Sequence, residues 1–183
     1  MKIVGENPPI FGSNTTPDSP IPPEDKLMSI NDAEARCARW RDRGLTTVLV
    51  NGAFDMLHVG HLRYLADAGG RADILIAAVN SDHSVGISKG PLRPILPEAE
   101  RVEILSHLWM IDVIVLFDSS SVAPILERLR PTFHAKGTDY SVDSVPEREV
   151  VAAYGGRTVI CGDPKDHATT DVIGIILERF GRR

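Results

Sequence analysis

Apolar residues along this chain fall into two patterns. Five short runs, TTVLV (46–50), ILIAAV (74–79), VIVLF (113–117), TFHA (132–135) and TVI (158–160), carry little polar alternation. Such runs suit strands covered on both faces, whereas the segments between them repeat their apolar residues at helical spacing. Those segments predict helices at about 59–69, 98–108, 122–130, 146–154 and 169–180. Upstream, Ser29 predicts a helix cap with Asp32 reaching back to it, Ala33, Cys37 and Trp40 share the inner face, and Gly44 ends the helix. Strands alternating with helices predict an α/β fold in which a parallel sheet is flanked by helices on both faces.

The pattern is absent near the start. Residues 5–25 hold six prolines among Gly, Ser, Asn and Thr, which fixes φ and removes amide donors without supplying an apolar face. Residues 1–28 are therefore expected to be a flexible arm and residues 29–183 one domain, a division that suits a chain of 183 residues. The formal charge of −5 gives no global attraction to nucleic acid or to an anionic membrane, so small phosphates in a local pocket are the expected partners. No segment has the length and apolarity of a membrane span or of a signal peptide. Two cysteines, Cys37 and Cys161, in segments patterned as a helix and a strand, support neither a disulfide framework nor a thiolate metal cluster, and a reducing cytoplasm is expected.

Between the first strong strand and its helix stands NGAFDMLHVGHLRYL (51–65). In open parallel sheets ligands bind beyond the carboxyl ends of strands, so this turn occupies the expected place. Gly52 permits close backbone approach, and the helix start offers free amides and a positive dipole end to a phosphate. His58 and His61, three apart with Gly60 between them, can address one anion together. The competing readings are a metal site with Asp55 as third ligand, which lacks a completing cluster, and histidines held only for packing. His83, His107, His134 and His167 have no motif partner and read as structural or exposed, with His167 drawing notice beside Thr169. Trp40, Trp109, Met56 and Met110 read as core or interface residues.

The stretch resembles the GxFDxxHxGH signature of the cytidylyltransferase-like nucleotidyltransferases, matched at Gly52, Phe54, Asp55, His58, Gly60 and His61. Over about residues 30–180 the order of features is similar to that of heptose 1-phosphate adenylyltransferases. AVNSD (78–82), Lys89-Gly90 with Arg93-Pro94, an E-R pair ending in Arg101, Lys136-Gly137 with Asp139-Tyr140, and Thr169-Thr170 recur in sequence. Two departures stand out: Ala168 replaces the family's Ser before the threonines, and Asp163 stands where glycerol 3-phosphate cytidylyltransferases carry Arg.

The resemblance implies the Rossmann-like HxGH nucleotidyltransferase fold and transfer of AMP from ATP to D-glycero-β-D-manno-heptose 1-phosphate. Glycerol phosphate with CTP, FMN with ATP, and a silent nucleotide-binding module are the alternatives. His58, His61 and Lys89 take the catalytic roles, the histidines on the triphosphate and Lys89, in a glycine- and proline-rich loop, on the α-phosphate. Asn51, Gly52, Ala53, Phe54, Asp55 and Gly60 hold nucleotide, Asp55 by organising the turn. Arg93 and Arg101 are expected to contact substrate or phosphate, Lys136, Gly137, Asp139 and Tyr140 to meet base or ribose, and Thr169 and Thr170 to meet the departing phosphates. Mg²⁺ is expected to ride on the phosphates with few or no protein ligands. A homodimer is expected, with the apolar stretch 108–115 as interface or core. A separate sugar kinase would supply the substrate, since only the short arm precedes the domain.

Overall fold

The computed structural model describes residues 21–164 and 168–181. The five apolar runs form strands β1 (Thr47–Gly52), β2 (Ile74–Asn80), β3 (Val113–Phe117), β4 (Phe133–Lys136) and β5 (Arg157–Ile160). All pair in parallel in the spatial order β3-β2-β1-β4-β5. Successive side chains go to opposite faces: Leu49, Ile74, Ile76, Val113 and Val115 to one, Val48, Val50, Leu75, Ala77 and Ile114 to the other. Both faces are covered, so neither series has a polar option, and the runs lack alternation for that reason.

The helices are α1 (Pro23–Lys26), α2 (Ile30–Asp42), α3 (Val59–Gly69), α4 (Asp82–Lys89), α5 (Glu98–Ser106), α6 (Ala123–Leu129), α7 (Arg148–Ala153) and α8 (Thr169–Phe180). One layer, built by α2, α6 and α7, buries Ala33, Cys37, Trp40, Leu126 and Val151 against the sheet. The opposite layer, led by α3 and α5, buries Leu65, Ala68, Val102 and Leu105. Cys37 and Cys161 sit in opposite layers as free, buried thiols. The Ser29 hydroxyl accepts from the Asp32 amide at 3.2 Å and donates to the Asp32 carboxylate at 2.6 Å, so the cap is real but Asp32 reaches the hydroxyl.

Two expectations change. The last residues of the expected arm belong to the fold: Lys26 is buried and donates to the Leu108 carbonyl at 2.9 Å, and Leu27 bridges Ile114 on the sheet edge. Residues 1–20 of the expected arm lie outside the described residues. Secondly, α4 was not expected, and Lys89 is its last residue, with the glycine turn beginning only at Gly90, φ +94°. Of the two readings of 108–115, the structure favours core: Met110, Ile111, Val113, Ile114 and Val115 are buried, and Trp109 is half exposed. No helix among the described residues is long and apolar enough to cross a membrane.

Candidate functional site

The strand order reverses at β1: β2 and β3 continue to one side, β4 and β5 to the other. A crevice opens where successive connections diverge, at the carboxyl ends of β1 and β4. A cavity of about 700 Å³ lies there. Every residue expected at the site except Arg101 lines it, although they come from four separate parts of the chain.

The loop after β1 is held under strain. Phe54 and Met56, on either side of Asp55, have φ of +50° and +57°, left-handed values that non-glycine residues adopt at a cost. Asp55 holds them there. Its carboxylate, with no side-chain exposure, accepts from Arg93 Nε at 2.7 Å, from the Ile95 amide at 2.9 Å and from the Leu96 amide at 3.0 Å. Burial alone would raise its pKa, but the two amides and the guanidinium outweigh that and hold it below the usual value. The Asp55 carbonyl also accepts from the Thr169 hydroxyl at 2.9 Å, which ties the start of α8 to the same turn.

His58 caps α3 and His61 stands on its first turn, their ring centres 4.0 Å apart. Phe54 backs His61 at 5.9 Å. His61 Nδ1 accepts from the His58 amide at 3.4 Å. Burial, then the adjoining His58 and Lys89, push His61 down to about 4, so the ring is neutral at physiological pH. With Nδ1 accepting, the single ring proton resides on Nε2, and His61 offers that N–H as donor. The helix start, two imidazoles and exposed Lys89 together form a surface for anions.

On the far wall, Lys136 closes β4. Its ammonium donates to Asn51 Oδ1 at 3.1 Å, lies 3.5 Å from Glu147 Oε2, and sits over the Tyr140 ring at 5.3 Å from its centre. His134 Nε2 is 3.1 Å from the same Asn51 oxygen. Burial, then Lys136, push His134 down to about 3. Tyr64, on α3 itself, donates its hydroxyl to the Ala135 carbonyl at 2.7 Å and braces the helix on β4.

Two expected roles are redrawn by these contacts. Arg101 does not reach the cavity: it is 1% exposed and donates to the carbonyls of Ala53, Asn80 (2.9 Å) and Leu96 (3.1 Å) and to Asp82 (2.8 Å). It fastens the signature loop to β2 and α4. The Thr169 hydroxyl proton is engaged by Asp55, which leaves Thr170 as the threonine of this pair without that tie. His167 lies outside the described residues. Sequence reasoning missed Glu147 and His134. The signal for His134 was its place two residues before Lys136 on one strand, which puts both on one face. Glu147 stands eleven residues further on, beyond a turn, and carried none. Asp163, the departure from the glycerol phosphate pattern, lines the cavity and binds Arg63 at 2.6 Å.

The profile of the family described as Cytidylyltransferase-like matches residues 49–176. The chain is 40% identical over 84% of its length to the "Bifunctional protein HldE" of Caulobacter sp. (strain K31), covering 31% of that protein. It is 39% identical over 89% of its length to the protein of the same name from Syntrophotalea carbinolica, covering 32%, and 40% identical over 90% to that of Geobacter metallireducens, also covering 32%. The chain thus spans about a third of the length of these relatives. A solved structure, the lipopolysaccharide core biosynthesis protein from Thermoplasma volcanium GSS1, superposes with a TM-score of 0.57 at 23% identity, covering 67% of this chain and all of that one. That likeness is one of fold. The family match extends from the core of β1 into α8 and takes in both histidines and the strained turn, so the chain belongs to the cytidylyltransferase-like family.

Proposed function

We propose that this chain is a nucleotidyltransferase that moves AMP from ATP to D-glycero-β-D-manno-heptose 1-phosphate, giving ADP-heptose and pyrophosphate. The observation that carries the reading is the convergence of His58, His61, Lys89 and the α3 start on one cavity at the strand-order reversal. The order of motifs shared with heptose 1-phosphate adenylyltransferases, and the similarity to the bifunctional relatives, support the sugar phosphate as acceptor. The pairing of Asp163 with Arg63, where glycerol phosphate enzymes carry Arg, speaks against that alternative.

The chemistry asks for charge placement more than for a base. A sugar phosphate oxygen is already anionic. It forms a bond to the α-phosphorus, the bond to the bridging oxygen of the β-phosphate breaks, and pyrophosphate leaves with that electron pair. His61 Nε2–H and Lys89 supply donors and charge where negative charge grows, and the α3 amides receive phosphate oxygens. Among the described residues no group of three His, Cys, Asp or Glu is arranged around a metal. The donor set fits a nucleotide that carries its own Mg²⁺ and water, the ion screening phosphate charge, while Asp55 is already engaged by Arg93. A kinase reaction supplies the sugar phosphate, and the two free buried thiols accord with the cytoplasm.

The test is pyrophosphate release with Mg²⁺, the heptose 1-phosphate and ATP, CTP, GTP or UTP in turn. Sustained release with ATP is expected. The His61→Ala variant should keep the wild-type circular dichroism spectrum and lose about two to three orders of magnitude in kcat. Release that is absent with ATP, or undiminished in that variant, overturns the reading.

A further inference from the structure

On the α7 side of the sheet, two polar residues of the cavity wall, Asn51 and Lys136, meet two that lie behind it, His134 and Glu147, in a way that the chemistry above leaves unused. His134 is fully buried, and the side chains of Lys136 and Glu147 are 12% and 10% exposed. Removing a Lys and a Glu from water costs several kcal/mol per ion before their attraction is counted, so packing alone would favour apolar residues there. What the group achieves is visible at Asn51. The register of β1 on β4 sets Leu49 beside His134, which brings Asn51 level with Lys136, and both donors converge on its Oδ1.

Chemistry fixes the orientation of that carboxamide. A lysine ammonium has no acceptor, so the atom facing Lys136 is the oxygen. His134 Nε2 faces the same oxygen and must therefore carry the ring proton, which leaves Nδ1 bare; that buried Nδ1 indeed has no hydrogen-bond partner. With its oxygen filled from below, Asn51 cannot flip to offer an acceptor. Its NH₂ is the polar group that remains for the cavity it lines.

We propose that His134, and Glu147 acting through Lys136, are positioning residues that lock Asn51 as a one-way hydrogen-bond donor, so that this wall of the site accepts an oxygen acceptor of a phosphorylated ligand and rejects a donor. The ligand class rests on the nucleotidyltransferase reading; the lock itself does not. The two phosphorylated substrates share this chemistry, and separate KM measurements tell which of them Asn51 meets.

Three variants decide it. His134→Leu removes the donor, His134→Gln restores an N–H, and Asn51→Asp satisfies both buried donors with one oxygen while turning the other on the ligand. His134→Leu is expected to raise KM for one substrate about tenfold with kcat changed less than about twofold, the scale of one hydrogen bond. His134→Gln should recover most of that loss, and Asn51→Asp should exceed it. Unchanged KM values for both substrates in His134→Leu and Asn51→Asp overturn the proposal. So does an equal fall in kcat in both His134 variants that tracks the folded fraction. If His134→Leu does not fold, Asn51→Asp carries the kinetic test. Independently of turnover, ¹⁵N NMR of the ligand-free protein should show His134 protonated at Nε2 only, and an Nδ1–H tautomer overturns the lock even if the transferase activity is confirmed. Absence of transferase activity together with the Nε2–H tautomer would refute the assigned reaction and leave the lock standing.

Discussion

His61 and His134 are both neutral in the folded protein, and that has a measurable consequence. Burial brings them to about 4 and about 3, against 6.5 for the free side chain. The unfolded chain therefore binds more protons than the folded one between those values. Their contribution to stability is complete above pH 6.5 and is lost as pH falls through the window, by at most about 1.4 kcal/mol per pH unit for each group. Asp112 works in the other sense. Burial pushes it up to about 6 from 3.8, so across that range it favours the folded state as pH falls. Two histidines against one carboxyl leave a net loss. The urea midpoint should fall from about pH 7 to about pH 5, and His134→Gln should flatten that slope by close to one proton. A midpoint that is constant or rises on acidification would show that the imidazoles are not held neutral.

At the level of elements, Asp55 joins three pieces of chain that the sequence keeps far apart: the turn after β1, the segment at 93–96 and the start of α8. Asp55→Ala leaves the Arg93 guanidinium and two amides without their acceptor and should cost about 2–4 kcal/mol in urea unfolding. A loss below about 1 kcal/mol would mean that the strained turn holds itself. This clamp also shows what could be read beforehand. The strands and most helices were legible because a doubly buried sheet leaves apolar runs and α3 and α8 carry helical spacing. The HxGH turn was legible because its residues are contiguous. By contrast, α4 was hidden: its Gly86, Ser84 and Ser88 are poor helix formers, and the helix stands on the Ser81 cap and on Glu98, which accepts from the Asp82 amide at 2.8 Å. Arg101 was misread as a ligand contact for the same reason. Its acceptors come from residues 53, 80, 82 and 96, and no local pattern announces a buried guanidinium.

For the molecule as a whole, the unanswered surface is α8. Ile173, Ile176, Leu177 and Phe180 follow one another at helical spacing on a helix that contains no buried residue, and Leu177 and Phe180 are 62% and 74% exposed. A helix of twelve residues is marginal in water on its own propensity, so a stripe of this kind calls for cover. We propose that a second copy of the chain provides it, two α8 stripes pairing about a two-fold axis, because such an interface presents the same patch twice and asks nothing of another surface. Thr169 ties the start of this helix to Asp55 and thus to the signature turn, so pairing through α8 would steady the site from outside. Sedimentation equilibrium at micromolar concentration should give twice the monomer mass. Leu177→Glu combined with Phe180→Glu should return the protein to a monomer, with a raised KM and an unchanged pattern of nucleotide preference. A wild-type monomer, or a dimer indifferent to both charges, would assign the pairing elsewhere and leave α8 to a different partner.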